Sequence, residues 1–216
     1  MRRAGIHLFL VLPVMFLLGG CQVAGWLVNV FAPPQKVKAK YVPPKDKTML
    51  VLVDGPLYLV YYEPLKYELT KELNRRIVEK HIARKTVPYE SLQRLSATTS
   101  DYYELGIPQV GERVGADLVL YVLIGEFILK DEGETSPIWT PRLTASVKVV
   151  DVKKGLLWPA DNPYGYSVEA VELPTTEDSS ERYGEVASRQ LAQQMAAKIA
   201  RLFHDYEVGS PLFSDE

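Results

Sequence analysis

Residues 118–129 read LVLYVLIGEFIL, and no other run in the chain constrains the fold as strongly. Side chains alternate across a strand. Here both parities are apolar: Leu118, Leu120, Val122 and Ile124 on one, Val119, Tyr121 and Leu123 on the other. A strand apolar on both faces must be covered on both, which predicts a central strand of a sheet packed against helices. Met49–Val53 (MLVLV) is a second continuous run, ended by the turn signal Asp54-Gly55-Pro56. In residues 143–150, Leu143, Ala145, Val147 and Val149 alternate with Thr144, Ser146 and Lys148, the pattern of a strand with one polar face. Lys153-Lys154-Gly155 turns the chain, Leu156–Trp158 resumes the strand, and residues 164–171 supply a further one.

Two segments carry helical spacing. In residues 63–84, Leu65, Leu69, Leu73, Ile77 and Ile82 share a stripe, while Lys66, Lys71, Arg75, Glu79 and Lys80 lie off it. In residues 179–206, Tyr183, Ala187, Leu191, Met195, Ile199, Phe203 and Tyr206 recur every fourth place, with Ser179 or Ser180 available as a cap. Thr86-Val87 fits a short strand, residues 90–95 a short helix, and residues 107–115 one or two helical turns. The order is β-α-β-α-β-β-β-α. It predicts an α/β (α+β) two-layer sandwich over residues 48–206, a mixed sheet with two main amphipathic helices on one face.

Composition then limits what this domain does. The chain is 47% apolar, too high for disorder, and its net charge of −2 is unlike the basic stripe of a nucleic-acid binder. One cysteine excludes intrachain disulfides and a four-cysteine zinc site. That cysteine follows Arg2-Arg3, an apolar stretch over residues 4–18, and Leu18-Gly19-Gly20. The stretch is short for a membrane span and fits the core of a secretory signal. Leu18-Gly19-Gly20-Cys21 resembles the lipobox of bacterial lipoproteins, which implies cleavage between Gly20 and Cys21 and a diacylglycerol on the Cys21 thiol. Residues 1–20 are then a signal peptide, and loss of Arg2 and Arg3 brings the net charge to −4. The competing expectation is an uncleaved transmembrane anchor over residues 4–32, which Gly19, Gly20 and Gly25 would weaken. Gln22 after the cysteine favours, by the same resemblance, the outer membrane facing the periplasm over the inner membrane. Residues 21–47, with two Pro-Pro pairs and a cluster of lysines, fit an extended tether. The acidic end, residues 207–216, fits a flexible tail.

Gly115-Ala116-Asp117 before LVLYVLIGEF, the strand PRLTASVKVVDVKKGLLW and a C-terminal amphipathic helix together resemble a group of periplasmic domains. These are the TolB N-terminal region, the curli-secretion lipoprotein CsgG, the exopolysaccharide lipoprotein PelC and the penicillin-binding-protein activator LpoB. The likeness rests on Val147, Val150, Asp151, Val152 and Gly155 in a V-x-x-V-D-V-x-x-G pattern, and spans about residues 48–206. It implies the same sandwich on a lipid anchor, acting through partners or as a ring. The two membrane-inserting hairpins of a curli-type pore have no counterpart in residues 90–105 or 130–140.

Catalytic and metal motifs are absent from the sequence. His81 and His204 each fall late in a helix, where histidine favours the negative helix end, and no His pair has metal spacing. Gly106, Gly111 and Gly115 make neither a phosphate loop nor a dinucleotide fingerprint and fit loop or cap positions. The expectation is therefore no enzyme, no metal and no cofactor beyond the acyl lipid on Cys21. The alternative is a peptidoglycan or glycan hydrolase using Asp54, Glu126, Glu169 and Glu172 at strand ends. Aromatics mark the candidate interface: Tyr58, Tyr61 and Tyr62 (with Tyr67 nearby), Tyr102-Tyr103, Trp139 and Trp158. The alternative for the tyrosines is half-buried packing. The expected role is a lipid-anchored envelope protein that binds a partner or copies of itself, with the membrane as its other contact and no nucleic acid.

Overall fold

The structure is a computed structural model that describes residues 35–55, 63–129, 138–177 and 180–208. The described residues form two units, one of residues 39–204, the other of residues 35–38 and 205–208. In the smaller unit, β1 (Gln35–Val37) pairs antiparallel with a strand at Tyr206–Val208, and Lys38 Nζ meets Asp205 Oδ2 at 2.7 Å.

The larger unit is the expected two-layer sandwich. Its strands and helices, in chain order, are β2 (Thr48–Asp54), α1 (Glu63–Glu79), β3 (Lys85–Thr86), α2 (Tyr89–Thr98), α3 (Ile107–Arg113), β4 (Leu118–Ile128), β5 (Arg142–Asp151), β6 (Gly155–Trp158), β7 (Tyr166–Glu172) and α4 (Glu181–Arg201); the strand at 206–208 is β8. The sheet runs β3-β2-β4-β5, with β6 and β7 both on the far side of β5. β2 is parallel to β3 and β4, whereas β5 is antiparallel to β4, β6 and β7.

One face of the sheet carries α1 and α4. Leu65, Leu69, Leu73 and Ile77 of α1 meet Ala187, Leu191, Met195 and Ile199 of α4 over Met49, Val51, Leu118, Leu120, Val122, Leu143, Val147 and Val149. All of these are at most 1% exposed, so truncating any of the leucines costs roughly 2–5 kcal/mol. Ser180 caps α4, its hydroxyl accepting from the Tyr183 N–H at 3.1 Å. α4 ends at Arg201, so Tyr206, expected on its stripe, lies in β8 instead. The helical period ran past the end of the helix because Phe203, though outside it, is still buried.

α1 also stops earlier than its stripe. The Ile82 N–H donates to the Ile77 carbonyl and the His81 N–H to the Val78 carbonyl, a Schellman closure that places His81 at φ 53°. His81 is thus the left-handed residue beyond the helix rather than one of its last turn. Ile82 remains buried because the closure folds it back onto Ile77.

The second face is covered only in part. α2, α3 and the turn at Tyr102–Glu104 lie over Leu50, Val119 and Val150, with Leu92 and Val110 buried against them. Gly111 lies inside α3, not in a loop: a Cβ there would meet Val119 Cγ2 at 2.7 Å and Val152 Cγ2 at 2.8 Å. Glycine is what lets this helix sit directly on the sheet.

Among the described residues β7 is an outer strand that pairs with β5 alone. Its ladder is interrupted between Leu143 and Ala145, opposite Val171 and Val168. At the interruption Lys198 of α4 donates to the Ala170 carbonyl at 2.8 Å and lies 3.0 Å from Glu169 Oε2. Among the described residues no helix is long and apolar enough to cross a membrane. Residues 1–34, which hold the expected cleavage site at Gly20–Cys21 and the expected lipidation at Cys21, lie outside the described residues, as do residues 209–216; of the tail expected from residue 207, Glu207 and Val208 belong to β8.

Candidate functional site

Beyond the cover of α2 and α3, the second face of the sheet is open among the described residues, and the register decides which side chains share it. Leu50, Val119 and Val150 make the buried row, and Leu52, Tyr121 and Lys148 the next. Asp54, Leu123, Ser146 and Ser167 make the row after that. Exposure rises along these rows, from 0% at Leu50 to 37% at Leu123.

A polar chain crosses the open rows. The Tyr121 hydroxyl donates to Asp54 Oδ2 at 2.9 Å, and Lys148 Nζ sits 5.0 Å from the centroid of the Tyr121 ring. Lys148 also donates to the Pro163 carbonyl at 3.3 Å, and the Ser146 hydroxyl to the Tyr164 carbonyl at 3.4 Å. Burial, and then the hydrogen bond to the Asp54 carboxylate, push the Tyr121 phenol well above its ordinary range, so it stays a donor. The loop 159–165 is drawn over the sheet by these bonds. Asn162 stiffens it, donating to the Gly165 carbonyl at 2.7 Å and accepting from the Tyr164 N–H at 3.0 Å. Tyr164 stands on this loop 86% exposed. The face offers a carboxylate, a phenol and an ammonium held by these contacts, with Leu123 exposed among them and Tyr164 exposed on the adjoining loop. Among the described residues of this face no nucleophile is set against a base.

The sequence candidates are scattered by comparison. Tyr58, Tyr61 and Tyr62 lie outside the described residues. Tyr102 packs half-buried under α2 and α3, while Tyr103 is 84% exposed and meets Tyr102 edge-on at 5.4 Å. Tyr67 packs edge-on against Tyr89 at 5.6 Å. Trp139 is 8% exposed, and its N–H and carbonyl both bond to Thr176, at 3.0 and 2.9 Å. Trp158 lies among Tyr41, Tyr166 and Phe203, ring centroids 6.0, 5.2 and 5.6 Å away, and packs against the main core. Of this set, the structure brings together Tyr102 and Tyr103 but neither tryptophan with them.

The four candidate carboxylates are each engaged. Arg142 lies between Glu126 and Glu172, at 3.4 and 3.6 Å, Lys198 holds Glu169, and Tyr121 and the Gly55 N–H hold Asp54. Among the described residues no cluster of three or more His, Cys, Asp or Glu side chains is arranged to hold a metal ion. Sequence reasoning missed Tyr121, Leu123 and Lys148 as one surface, and Tyr164 beside it. The signal was partly there, since Lys148 falls on the polar parity of β5 and Tyr121 and Leu123 share a parity in β4. What joins them is the strand register.

No protein-family model matches the chain, and no curated protein does. Solved structures similar to it include a single-substitution variant of the PelC dodecamer from Paraburkholderia phytofirmans, at 15% identity and TM-score 0.41, covering 80% of this chain and 98% of that one. Lipoprotein GNA1162 from Neisseria meningitidis matches at 16% identity and TM-score 0.38, over 69% of this chain and 98% of the other. Lipoprotein B from Nitrosomonas europaea matches at 11% identity and TM-score 0.34, over 76% and 84%. PelC, one of the four proteins named in the sequence resemblance, is thus among the structures that this chain is similar to.

Proposed function

We propose that this chain is a lipid-anchored bacterial envelope protein without catalytic activity, and that it acts by protein–protein recognition through the open face of β2, β4 and β5. The observation that carries this is the face itself. It is left uncovered by four helices, yet its side chains are fixed by hydrogen bonds across three strands and a loop. Ordering an exposed surface costs conformational entropy, and a pre-ordered patch with exposed Leu123 and Tyr164 suits a protein partner. The engagement of Asp54, Glu126, Glu169 and Glu172 supports recognition over glycan hydrolysis. The lipobox-like residues 18–21 support the anchor at Cys21, and Gln22 supports the outer membrane facing the periplasm. The partner is either another envelope protein in assembly, secretion or export, or a second copy of this chain, the similar PelC being a dodecamer. The likeness to TolB, CsgG and LpoB belongs to the same reading.

The test is crosslinking in cells from a photoreactive residue at Leu123, with the same residue at Val78 on the exposed side of α1 as control. An adduct from position 123 only is the expected result, its mass telling self-assembly from a distinct partner. No adduct from position 123, together with release of peptidoglycan fragments by the purified protein that Glu169→Gln abolishes, would overturn the proposal in favour of the hydrolase.

A further inference from the structure

Away from the open face, one end of the sheet gathers cations. It is the end where β2, β3 and β4 begin and β5 finishes. Lys45 and Lys47 lie in the segment leading into β2, and the Arg84 N–H donates to the Lys47 carbonyl at 3.1 Å. Lys85 stands opposite Thr48, and Lys153 and Lys154 form the turn between β5 and β6. The Asp117 N–H donates to the Thr48 carbonyl at 2.9 Å and the Val152 N–H to the Asp117 carbonyl at 3.0 Å, which ties these pieces into one place. Lys47 is half-buried, and the other five cations are exposed. Among the described residues none of the six forms an ion pair.

The carboxylates at this end are turned onto backbone. Asp117 Oδ2 accepts from the Thr48 N–H at 2.8 Å, and Asp151 Oδ1 accepts from the Lys153 and Lys154 N–H groups at 2.9 Å each. With Asp46 they face six cations, so this end is positive on a chain of net charge −2. Lys80 and Arg113, after and at the C-terminal ends of α1 and α3 that lead into β3 and β4, are accounted for by the helix ends. Lys45, Lys153 and Lys154 lie on turns between strands, where no helix end calls for them.

Tyr41 also lies at this end, close enough to Asp151 to feel its charge. The Lys40 and Tyr41 N–H groups donate to the Leu202 carbonyl at 2.8 and 3.1 Å, and the Tyr41 ring stacks on Trp158 at 6.0 Å. From Cys21 to Ala39 a fully extended chain spans at most about 60 Å. We infer that the basic end is a docking surface for a phospholipid bilayer with anionic headgroups, which it holds with the strands end-on to the membrane. The choice of a bilayer over another polyanion rests on the proposed anchor at Cys21. Each Lys or Arg near an anionic surface contributes about a fivefold preference, so six act strongly together and weaken as salt shortens the screening length from about 10 Å at 0.1 M to about 3 Å at 1 M.

The experiment uses the full chain with phosphatidylcholine vesicles, with and without phosphatidylglycerol. An amine reagent labels the lysines, and mass spectrometry reads each site. The expected result is that phosphatidylglycerol slows labelling of Lys45, Lys85, Lys153 and Lys154 by about fivefold or more, leaves Lys71 on α1 unchanged, and loses its effect in 1 M salt. Lys153→Gln with Lys154→Gln, which keeps the backbone donors to Asp151, weakens binding to the anionic vesicles by about 25-fold and so lessens the protection of Lys45 and Lys85. Equal rates on both vesicle types, or equal protection of Lys71, would overturn the docking surface. The mass of the Cys21 peptide tests the anchor separately. An unmodified cysteine would remove the anchor, while the lysine rates on the same vesicles would still decide the docking surface.

Discussion

Replacing Gly165 with alanine tests how tightly the 159–165 loop is drawn onto the sheet. Gly165 has φ +101°, and a Cβ there would lie 2.9 Å from the Val147 carbonyl oxygen, which belongs to the β5 backbone. Two costs follow. A left-handed φ costs a residue with a side chain roughly 1–2 kcal/mol, and forcing an extra carbon against a fixed neighbour costs typically about 1–3 kcal/mol. Gly155 separates them, because it has φ +84° with nothing within 4 Å of its Cβ. Gly155→Ala should lose about 1 kcal/mol, less whatever the stiffer unfolded chain returns. Gly165→Ala should lose roughly 3 kcal/mol, or escape part of this by lifting the loop and releasing Tyr164 from Ser146. Urea unfolding of both variants beside the parent measures the difference, and faster chymotrypsin cutting after Tyr164 reports a lifted loop. Equal losses in the two variants, with no new cutting, would refute the close approach.

His81→Gly should raise stability by about 0.5–1 kcal/mol, because His81 pays for a φ of 53° that glycine adopts freely and its side chain is exposed; urea midpoints check this, and a destabilised variant would mean that the imidazole makes a contact that matters. Glu72 accepts from Arg75, which together with the cationic charge of Arg76 and Arg75 holds its carboxyl below the ordinary value of 4.5 against the opposing effect of burial. Its folded pKa is depressed, so its stabilisation is full above pH 4.5 and is lost as pH falls through the folded value. Glu72→Gln should therefore be less stable than the parent at pH 7 and lose less on acidification, read as a shallower slope of unfolding free energy below that pH.

The parts of this fold that sequence reveals are those written in local period. Leu65, Leu69, Leu73 and Ile77 announce their helix because each returns to the same side, and Thr144, Ser146 and Lys148 announce a polar strand face because every second residue repeats it. Three things resist such reading. The partnership of Tyr121 with Lys148 depends on register between strands separated by a loop, and a one-residue slip would send every side chain to the other face. The pairing of Gln35–Val37 with Tyr206–Val208 joins two three-residue strands with no apolar signal, in stretches that read as spacer and helix end. His81 occupies a position where glycine is the usual marker, so the helix end was silent. The aromatic residues mislead for a different reason: a tryptophan signals large buried area equally well inside a domain or at its surface, and Trp158 spends that area on Tyr41, Tyr166 and Phe203.

The lysine that reaches β7 has a consequence for crowding. A strand with an unsatisfied margin is a template on which a neighbouring molecule can build, and confinement to a surface raises the rate at which neighbours collide. Lys198 occupies the Ala170 carbonyl, the ladder is kinked there, and Glu169 projects 86% exposed from the same stretch. A molecule approaching margin to margin meets a filled acceptor, a bend and a charge. Copies held close together are thereby steered away from endless sheet extension, and any ordered association is left to surfaces that close on themselves.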